Sequence, residues 1–180
     1  MSKSFDVKKL IFIDESGVQN NMTRLYGRVL GGERLFEFTP GAYWETTTLV
    51  SSIRFNGAME CMSIDGAMDA DVFRAYVIKV LCPTLKRDEI VIMDNLPVHK
   101  VSGIKEAIEA KGARLLYLPP YSPDFNPIEK MWSKLKNILL KMKARSKEEL
   151  NKALMSAFKE VTASDARGWF ESCGYVLMHS

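Results

Sequence analysis

The chain has 180 residues, a length at which one domain can bury a sufficient core without disulfides or metals, so we expect a single domain over residues 1–180. Hydrophobic residues make up 47% of the chain and charged residues 26%, which excludes a disordered tail, a collagen-like fibre and a disulfide scaffold. The formal net charge of +3 is too small to indicate nucleic acid binding by itself.

The three cysteines, Cys61, Cys82 and Cys173, are far apart and form no CxxC motif, so neither a disulfide framework nor a zinc site is indicated. The longest apolar runs, such as residues 10–13 and 90–93, are much shorter than the roughly 18 residues that a membrane-spanning helix needs. We therefore expect an intracellular protein that does not enter a membrane.

The first half of the chain predicts an antiparallel meander of strands. Residues 7–14 contain the apolar run 10–13 and stop at an acidic residue, which predicts a buried strand over 7–14. Gly31-Gly32 and Asn56-Gly57 each separate two β-rich runs, and Asn-Gly is the strongest short hairpin signal. The strands of these two predicted hairpins cover residues 24–30 and 33–39, and residues 46–55 and 58–64.

The second half alternates between helices and strands. Asp69 can cap a helix that Pro83 ends, Gly112 is a helix stop, and Ser146 opens a capping box. The predicted elements, in chain order, are helix 70–81, strand 89–93, helix 99–111, strand 114–118, and helices 127–143, 146–161 and 164–172. This alternation implies parallel pairing with right-handed crossovers. Together with the meander, it predicts a mixed α/β sheet with helices on both faces.

Two apolar strands are predicted to end at aspartates, Asp14 and Asp94. Central strands of an α/β sheet are buried on both faces, and ligands bind at the edge where the carboxyl ends of the strands meet. Both aspartates are therefore candidate functional residues, although a strand-end aspartate also occurs simply because a loop begins there.

Glu129 lies near the start of a predicted helix, with 34 residues between it and Asp94. Asn126 is a good N-cap, Pro127 suits the first helical position, and Glu129 falls at the third, which is a variant of the capping box. Considered alone, this pattern favours capping over catalysis for Glu129.

Three converging carboxylates would favour catalysis instead. Hard oxygen ligands suit Mg²⁺ or Mn²⁺, and two such ions can stabilise the attacking and leaving oxygens of a phosphodiester. The two histidines, His99 and His179, are far apart in sequence, so no His/Cys cluster offers a zinc alternative. Neither a P-loop nor a dinucleotide-binding motif is present in the sequence.

Positive charge is concentrated directly after Glu129. The basic residues of segment 130–147, which contains no acidic residue, are Lys130, Lys134, Lys136, Lys141, Lys143, Arg145 and Lys147. The apolar residues between them have helical spacing and predict a core-facing stripe, which leaves a lysine-rich outer face. A solvated face is the ordinary interpretation. Beside a metal site, however, we favour contact with a phosphate backbone, and we expect Lys130, Lys134, Lys136 and Lys141 to make it.

Three segments, residues 10–17, 91–95 and 118–129, resemble the DDE transposases, in particular the mariner-like superfamily and its bacterial insertion-sequence relatives. The proline-rich segment that ends in Asn-Pro-Ile-Glu is the most specific of the three, and the spacing of 34 residues is one found in that superfamily. The resemblance extends over nearly the whole chain, from about Lys8 to Ser172.

The resemblance implies an RNase H-like fold in which Asp14 and Asp94 lie on neighbouring strands. It implies that Asp14, Asp94 and Glu129 form a catalytic triad that holds Mg²⁺, with Mn²⁺ as a substitute. The implied activity is metal-dependent hydrolysis of DNA at transposon ends, followed by attack of the freed 3′-hydroxyl on target DNA. Asn95 and His99 are expected to contact DNA or to support the metal ligands, with a simple polar loop as the alternative.

Full-length members of the resembled family carry a helix-turn-helix domain before the catalytic domain, whereas the first predicted strand here begins within ten residues of Met1. We therefore expect the catalytic part of an element split between reading frames, or a shortened gene product. The resemblance implies a homodimer or larger complex on DNA, and a bacterial, cytoplasmic and nucleoid-associated location rather than a nuclear one. The alternatives are another RNase H-like nuclease and an inactive fragment that only binds DNA.

Overall fold

The computed structural model describes residues 6–20 and 46–177. The predicted hairpin over residues 24–30 and 33–39 lies outside these residues. No helix within the two described ranges is long and apolar enough to cross a membrane.

The described strands form one mixed sheet. They are β1 Leu10–Gln19, β2 Thr46–Arg54, β3 Met59–Asp65, β4 Ile90–Met93 and β5 Arg114–Tyr117. Their order in the sheet is β3-β2-β1-β4-β5. The β1–β2 and β2–β3 pairs are antiparallel, whereas β1, β4 and β5 run parallel to one another. The predicted combination of antiparallel and parallel strands is confirmed.

β1 differs from its prediction at both ends. Val7–Lys9 form a 3₁₀-helical turn capped by the Asp6 carboxylate, rather than the start of the strand. The strand then continues past Asp14 to Gln19, because β2 pairs with it as far as Gln19 opposite Thr46. The expectation that this strand stops at Asp14 is therefore wrong.

The parallel pairing of β1 with β4 is much shorter than the antiparallel pairing with β2. It ends at Phe12 opposite Ile92. Asp14 lies two residues further along β1, where β4 no longer accompanies it. The sheet therefore opens beside Asp14 and leaves room for a cavity there.

The Asn56-Gly57 hairpin is confirmed between β2 and β3. Gly57 has φ 85°, which favours glycine, and the Asn56 side-chain oxygen accepts a hydrogen bond from the Ala58 N–H at 3.0 Å. A Cβ atom at Gly57 would also lie only 3.0 Å from the Cα atom of Ala163. Both the backbone conformation of Gly57 and the close approach of the Ala163 backbone therefore require glycine.

The helices are α1 Ala70–Tyr76, α2 Ile104–Glu109, α3 Pro127–Met142, α4 Lys147–Lys159 and α5 Ala163–Ser172. α1 continues as a π-helical turn over Val77–Leu81 and a 3₁₀-helical turn over Cys82–Thr84, where Pro83 stops it as predicted. The predicted capping box at Ser146 is present at the start of α4. The three predicted C-terminal helices are all confirmed.

The helix predicted over residues 99–111 is wrong in its first part. Pro97–Lys100 form a 3₁₀-helical turn, and α2 begins only at Ile104. Gly103 lies between them with φ 92°, a left-handed conformation that interrupts a helix. This turn places the His99 side chain inside the protein rather than on a helix surface.

The sheet separates two hydrophobic cores, because side chains alternate between its faces along each strand. Phe12 of β1 packs in one core with residues of α3 and α5, and its ring meets that of Phe170 edge to face at 5.3 Å between centroids. Ile13, the next residue, packs in the other core with Phe73 of α1 and Ile104 of α2. Helices therefore cover both faces, as predicted.

Candidate active site

Three acidic side chains line one cavity of about 410 Å³ beyond the carboxyl end of β4. Asp14 comes from β1, Asp94 directly follows β4, and Glu129 lies in the first turn of α3. Asp14 is buried, with only 8% of its surface exposed, whereas Asp94 is half-buried and Glu129 is exposed. The structure thus brings together three side chains that are far apart in sequence.

The alternation of side chains along β1 explains why Asp14 meets α3. Asp14 lies two residues beyond Phe12, so it points to the face of the sheet that α3 covers. α3 begins at Pro127, whose missing N–H costs nothing at the first helical position. Glu129 therefore falls in the first turn, where the helix dipole favours a negative charge.

Glu129 does not serve as a helix cap. The Asn126 side chain makes no capping hydrogen bond within the described residues, and no capping box is formed at α3, in contrast to α4 and α5. The Asn126 side-chain oxygen is instead buried without a hydrogen-bond partner in the described part of the chain. The capping interpretation of Glu129 is therefore wrong, and its carboxylate is available to the cavity.

Burial raises the pKa of Asp14 to about 7, and the negative charges of Glu129, Glu15 and Asp94 add to this effect, although a backbone hydrogen bond opposes it. Near neutral pH, the protonated and charged forms of Asp14 therefore coexist in the chain without bound cations. A cation in the cavity would favour the charged form of Asp14 and offset the repulsion among the carboxylates.

His99 connects Asp94 to a second carboxylate on the opposite side of its ring. The imidazole is fully buried, with Nδ1 at 2.5 Å from Asp94 Oδ1 and Nε2 at 2.8 Å from Glu15 Oε1. A carboxylate can only accept a hydrogen bond, so both nitrogens must donate, and this arrangement selects the imidazolium form. The ring also lies against Phe73, with 4.2 Å between the ring centroids.

The positive charge of His99 and the negative charges of its two carboxylate partners stabilise one another. Burial would lower the pKa of His99, but the hydrogen bonds to Asp94 and Glu15 outweigh it and raise the pKa to about 9. Burial would likewise raise the pKa of Asp94, but His99 and the Leu96 N–H hold it below its usual range. Asp94 is therefore charged at neutral pH, with one oxygen held by His99.

The burial of His99 excludes the direct DNA contact that was considered for it, since no part of its side chain reaches the surface. Its contact with Asp94 fits the other expectation, that it supports a proposed metal ligand. Asn95 is half-buried and lines the cavity, so contact with DNA stays a prediction for this residue.

The sequence did not single out Glu15, the second partner of His99. Glu15 follows Asp14 on a strand, so its side chain points to the opposite face, away from the cavity. The signal that could have found it is the pair of adjacent acidic residues on an otherwise apolar strand. A carboxylate on the covered face of such a strand needs a donor, and His99 supplies one across 84 residues of sequence.

Two of the lysines predicted to contact DNA are engaged within the protein. Lys134 Nζ lies 2.7 Å from Asp165 Oδ2 and donates to the Glu160 carbonyl, while Lys130 Nζ donates to the Ser172 hydroxyl. These contacts direct both side chains toward α5, so the structure does not support their role as free phosphate contacts. Lys136 and Lys141 form no ion pair within the described residues, and for them DNA contact stays a prediction.

A proline-rich loop after β5 forms one wall of the cavity. Tyr121 in this loop is fully exposed and has φ 56°, a left-handed conformation that is uncommon for a bulky side chain. Its ring covers no core and lies at the rim beside the carboxylates. An aromatic face in that position suits stacking against an unpaired nucleobase.

The donor chemistry of the cavity suits a hard divalent cation. Carboxylate oxygens are the ligands that Mg²⁺ and Mn²⁺ prefer, and Asp14, Asp94 and Glu129 present only oxygen. In the described ranges, however, no three His, Cys, Asp or Glu side chains are arranged closely enough to hold a metal ion as they stand. The site therefore fits such a cation without being a closed cage.

Residues 9–151 match the model of a family described as DDE superfamily endonuclease. The chain is also 28% identical over 113 residues to the Tcb1 transposable-element transposase of Caenorhabditis briggsae. This alignment covers 61% of this chain and 41% of that protein. The resemblance to DDE transposases noted in the sequence is confirmed by the family match.

Two solved structures share the fold. The Mos1 transposase in a paired-end complex with the left transposon end aligns with a TM-score of 0.76 at 20% identity, over 95% of this chain and 53% of that chain. The catalytic domain of Mos1 mariner transposase aligns with a TM-score of 0.68 at 17% identity, over 95% of this chain and 79% of that chain. These alignments confirm the expected RNase H-like fold. The chain spans about half the length of the longer relatives that it matches.

Proposed function

Because this chain belongs to the DDE superfamily of endonucleases, we propose that it is the catalytic part of a transposase. It cuts phosphodiester bonds at transposon ends and joins the freed 3′-hydroxyl to target DNA. The observation that carries the proposal is the cavity lined by the carboxylates of Asp14, Asp94 and Glu129. The Tcb1 transposase and the Mos1 paired-end and strand transfer complexes support the same activity by similarity.

Asp14, Asp94 and Glu129 would hold the divalent cations, with Mg²⁺ as the ordinary ion and Mn²⁺ as a substitute. The chemistry that such ions supply when bound is Lewis-acid stabilisation of the attacking and leaving oxygens of a phosphodiester. Mos1 structures with Mg and with Mn support this choice. Binding requires the charged form of Asp14, whose pKa is about 7, so it displaces a proton from the site.

The other side chains around the cavity position the carboxylates and the DNA. His99 holds one oxygen of Asp94 and leaves the other free, and Glu15 keeps His99 protonated. Asn95 lines the cavity within reach of bound DNA, and Tyr121 offers an aromatic face at the rim. Lys136 and Lys141 on α3 would contact phosphates outside the cavity.

An assembly of two or more copies on DNA fits the proposed activity, because joining two transposon ends to one target requires more than one active site. The Mos1 paired-end complexes support such an assembly by similarity. In the cell we place the protein on the nucleoid of a bacterium, as the resemblance to insertion-sequence transposases suggests.

Nicking of supercoiled plasmid DNA tests the enzymatic proposal. Wild-type protein should nick with Mg²⁺ or Mn²⁺ and should do so poorly with Ca²⁺, whose looser coordination suits in-line attack less well. Asp94→Asn keeps the shape of the side chain but loses its charge, and it should abolish nicking. The matched control is Asp71→Asn, an exposed aspartate on α1 that should cut normally. Nicking that persists in excess chelator, or in Asp94→Asn, would contradict the proposal.

A strand-joining assay with a precut transposon-like end and a plasmid target separates the transposase from another RNase H-like nuclease. The transposase should form covalent joint products, whereas a plain nuclease should only cut. The family membership and the Asn-Pro-Ile-Glu segment at Glu129 favour the transposase. A protein that binds DNA without nicking or joining it would be an inactive fragment.

A further inference from the structure

A second cavity, of about 540 Å³, lies at the end of the sheet opposite the carboxylates. It is bordered by the turn that precedes β1, by the loop that precedes β4 and by α5, and it shares no lining residue with the first cavity. Asp14 lies four positions after Leu10 on β1, which corresponds to about 13 Å along the strand. The two cavities are therefore separate sites. We refer to the second as the basic cavity.

The basic cavity concentrates positive charge. Among the described residues, its lining contains one carboxylate, Glu89, and six basic side chains, which are Lys8, Lys9, Arg54, Lys86, Arg87 and Arg167. Their formal sum is +5, whereas the whole chain carries +3, so all other charged residues together are net negative. A concave surface lined by one sign of charge focuses its field and raises the local concentration of oppositely charged ligands.

The floor and the rim of the basic cavity have different roles. At the floor, Arg54 forms a buried ion pair with Glu89 at 3.3 Å and also donates to the Thr84 carbonyl at 3.2 Å. These partners fix the guanidinium and neutralise its charge. Arg54 therefore contributes structure, and the charge that a ligand meets comes from the rim.

Most of the cations at the rim lack an acidic partner among the described residues. Lys9 lies 3.9 Å from Asp88 in an exposed pair that contributes little. In the part of the chain that the structure describes, no carboxylate lies within 4.0 Å of the charged groups of Lys8, Lys86, Arg87 or Arg167. This distinguishes the basic cavity from α3, where Lys134 is already paired. Lys8, Lys86 and Arg167 are exposed and lie on three different segments.

We propose that the basic cavity binds the phosphate backbone of duplex DNA at a distance from the reacting phosphodiester. The inference that this anion is DNA rests on the proposed function. Cations from three segments around a wide cavity suit a ligand with several phosphates in a row, and DNA presents one phosphate per strand every 3.4 Å or so. Backbone contacts of this kind position DNA without reading its sequence.

Salt-dependent DNA binding tests this proposal without catalysis. The protein is titrated onto a fluorescent 30-base-pair linear duplex in excess chelator, at salt concentrations from about 50 to 200 mM. In the triple variant Lys8→Gln, Lys86→Gln, Arg167→Gln, the log–log salt slope should flatten by up to about 2.7, because each lost phosphate contact removes about 0.9. Affinity at the lowest salt should fall by about tenfold or more.

The matched control is Lys79→Gln, Lys152→Gln, Lys159→Gln, which removes the same charge from exposed positions outside both cavities. This control should bind DNA nearly as the wild type does. Equal slopes for the two triple variants would overturn the proposal. A second outcome would also overturn the proposal. If inorganic phosphate raised the melting temperature of the wild type but not that of the basic-cavity variant, while the two DNA salt slopes stayed equal, the cavity would bind small anions rather than DNA.

Failure of the DNA-binding proposal can be distinguished from failure of the proposed enzymatic function, because the salt titration and the nicking assay are separate measurements. A changed salt slope together with absent nicking would leave the basic cavity as a DNA site and overturn the proposed enzyme. Metal-dependent nicking together with an unchanged salt slope would support the proposed enzyme and overturn the basic cavity as a DNA site.

Discussion

His99 holds two carboxylates in position although it has no exposed surface of its own. Its two N–H groups bind Asp94 and Glu15, which belong to different segments of the sheet. The imidazolium compensates one of the negative charges that crowd this end of the molecule. His99 is therefore a positioning residue, which acts on the site through Asp94.

Replacing His99 by Phe tests this role. Phe fills the space beside the Phe73 ring but cannot donate a hydrogen bond, so Asp94 loses its fixed orientation. We expect Mn²⁺ affinity, measured by calorimetry, to fall at least tenfold. Each carboxylate left without its donor should also cost about 1–3 kcal/mol in the free energy of unfolding.

Tyr117→Phe is the control for His99→Phe. It removes the hydrogen bond from the Tyr117 hydroxyl to the His99 carbonyl, at 3.1 Å, but leaves both ring contacts of the histidine in place. Its Mn²⁺ affinity should match that of the wild type. Unchanged Mn²⁺ affinity in His99→Phe would show that the histidine only fills space.

Glu129 offers a second test at the scale of a single residue. Because it forms no capping box, Glu129→Gln and Glu129→Ala should melt at similar temperatures without metal. Both should melt slightly above the wild type at pH 8, since each removes a charge that repels Asp14. Both should fail to nick DNA.

Melting curves and plasmid nicking on the same preparations of the Glu129 variants decide between the two roles of this residue. A loss of about 0.5–2 kcal/mol in the free energy of unfolding of the Ala variant alone would show that Glu129 caps α3 after all. Normal nicking by the Gln variant would remove Glu129 from the catalytic group.

At the scale of elements, Lys134 and Asp165 join α3 to α5. The Lys134 hydrogen bond, followed by that of the Thr162 N–H, lowers the pKa of Asp165 to about 2, although burial opposes this. The same carboxylate belongs to the capping box at the start of α5. One side chain therefore serves both the helix start and the contact between the two helices.

A double-mutant cycle measures the α3–α5 contact. Lys134→Ala should lose about 0.5–1 kcal/mol of unfolding free energy, and Asp165→Ala should lose more because it also removes the cap. The double variant should be less destabilised than the sum of the two single variants. Lys136→Ala, from the same helix but without an ion pair among the described residues, should leave stability unchanged. Strict additivity would mean that the pair contributes nothing.

Most elements that local patterns specify were predicted correctly, with the first part of helix 99–111 as the exception, whereas the full length of β1, which distant contacts specify, was not. Asn56-Gly57 and the Ser146 capping box act within a few residues, so the sequence reveals them. The extension of β1 beyond Asp14 depends on pairing with β2, which runs from Glu15 opposite Val50 to Gln19 opposite Thr46 and joins residues far apart in sequence. A single sequence does not show which residues will face each other over such a distance.

The candidate site likewise has some features that the sequence predicts and others that depend on distant contacts. Strand ends predicted that Asp14 and Asp94 would lie together, because parallel strands bring their carboxyl ends to one edge of a sheet, and the resemblance to the DDE transposases implied that Glu129 joins them. Neither the contact of His99 with Glu15 nor that of Lys134 with Asp165 could be predicted. Each depends on which face of an element a side chain occupies and on what packs against that face.

At the scale of the whole molecule, the stability of the metal-free protein should fall as pH rises from about 4 to 9. The folded state raises the pKa of Asp14 from 3.8 to about 7 and that of His99 from 6.5 to about 9. Between the unfolded and folded pKa values of each group, the folded state retains a proton that the unfolded state has released, so raising the pH favours unfolding. Asp94 acts in the opposite sense, and its contribution is lost only as the pH falls below 3.8.

Melting temperatures in excess chelator at pH 5, 7 and 9 test this prediction. Asp14→Asn should flatten the fall between pH 5 and 7, and at pH 8 it should exceed the stability of the wild type by up to about 4 kcal/mol. Addition of Mg²⁺ at pH 8 should stabilise the wild type but not the variant. A pH profile that is the same in both proteins would contradict the shifted pKa of Asp14.

The two ends of the central strands carry opposite charge, with carboxylates near the carboxyl end of β4 and an excess of cations before β1. Two such regions about 13 Å or more apart form an electric dipole along the strand direction. In the field of a polyanion such a dipole experiences a torque, which turns the basic end toward the DNA during approach. The carboxylate end is then the last part of the molecule to reach the DNA. Divalent cations, by neutralising that end, would reduce the torque and let both ends approach together.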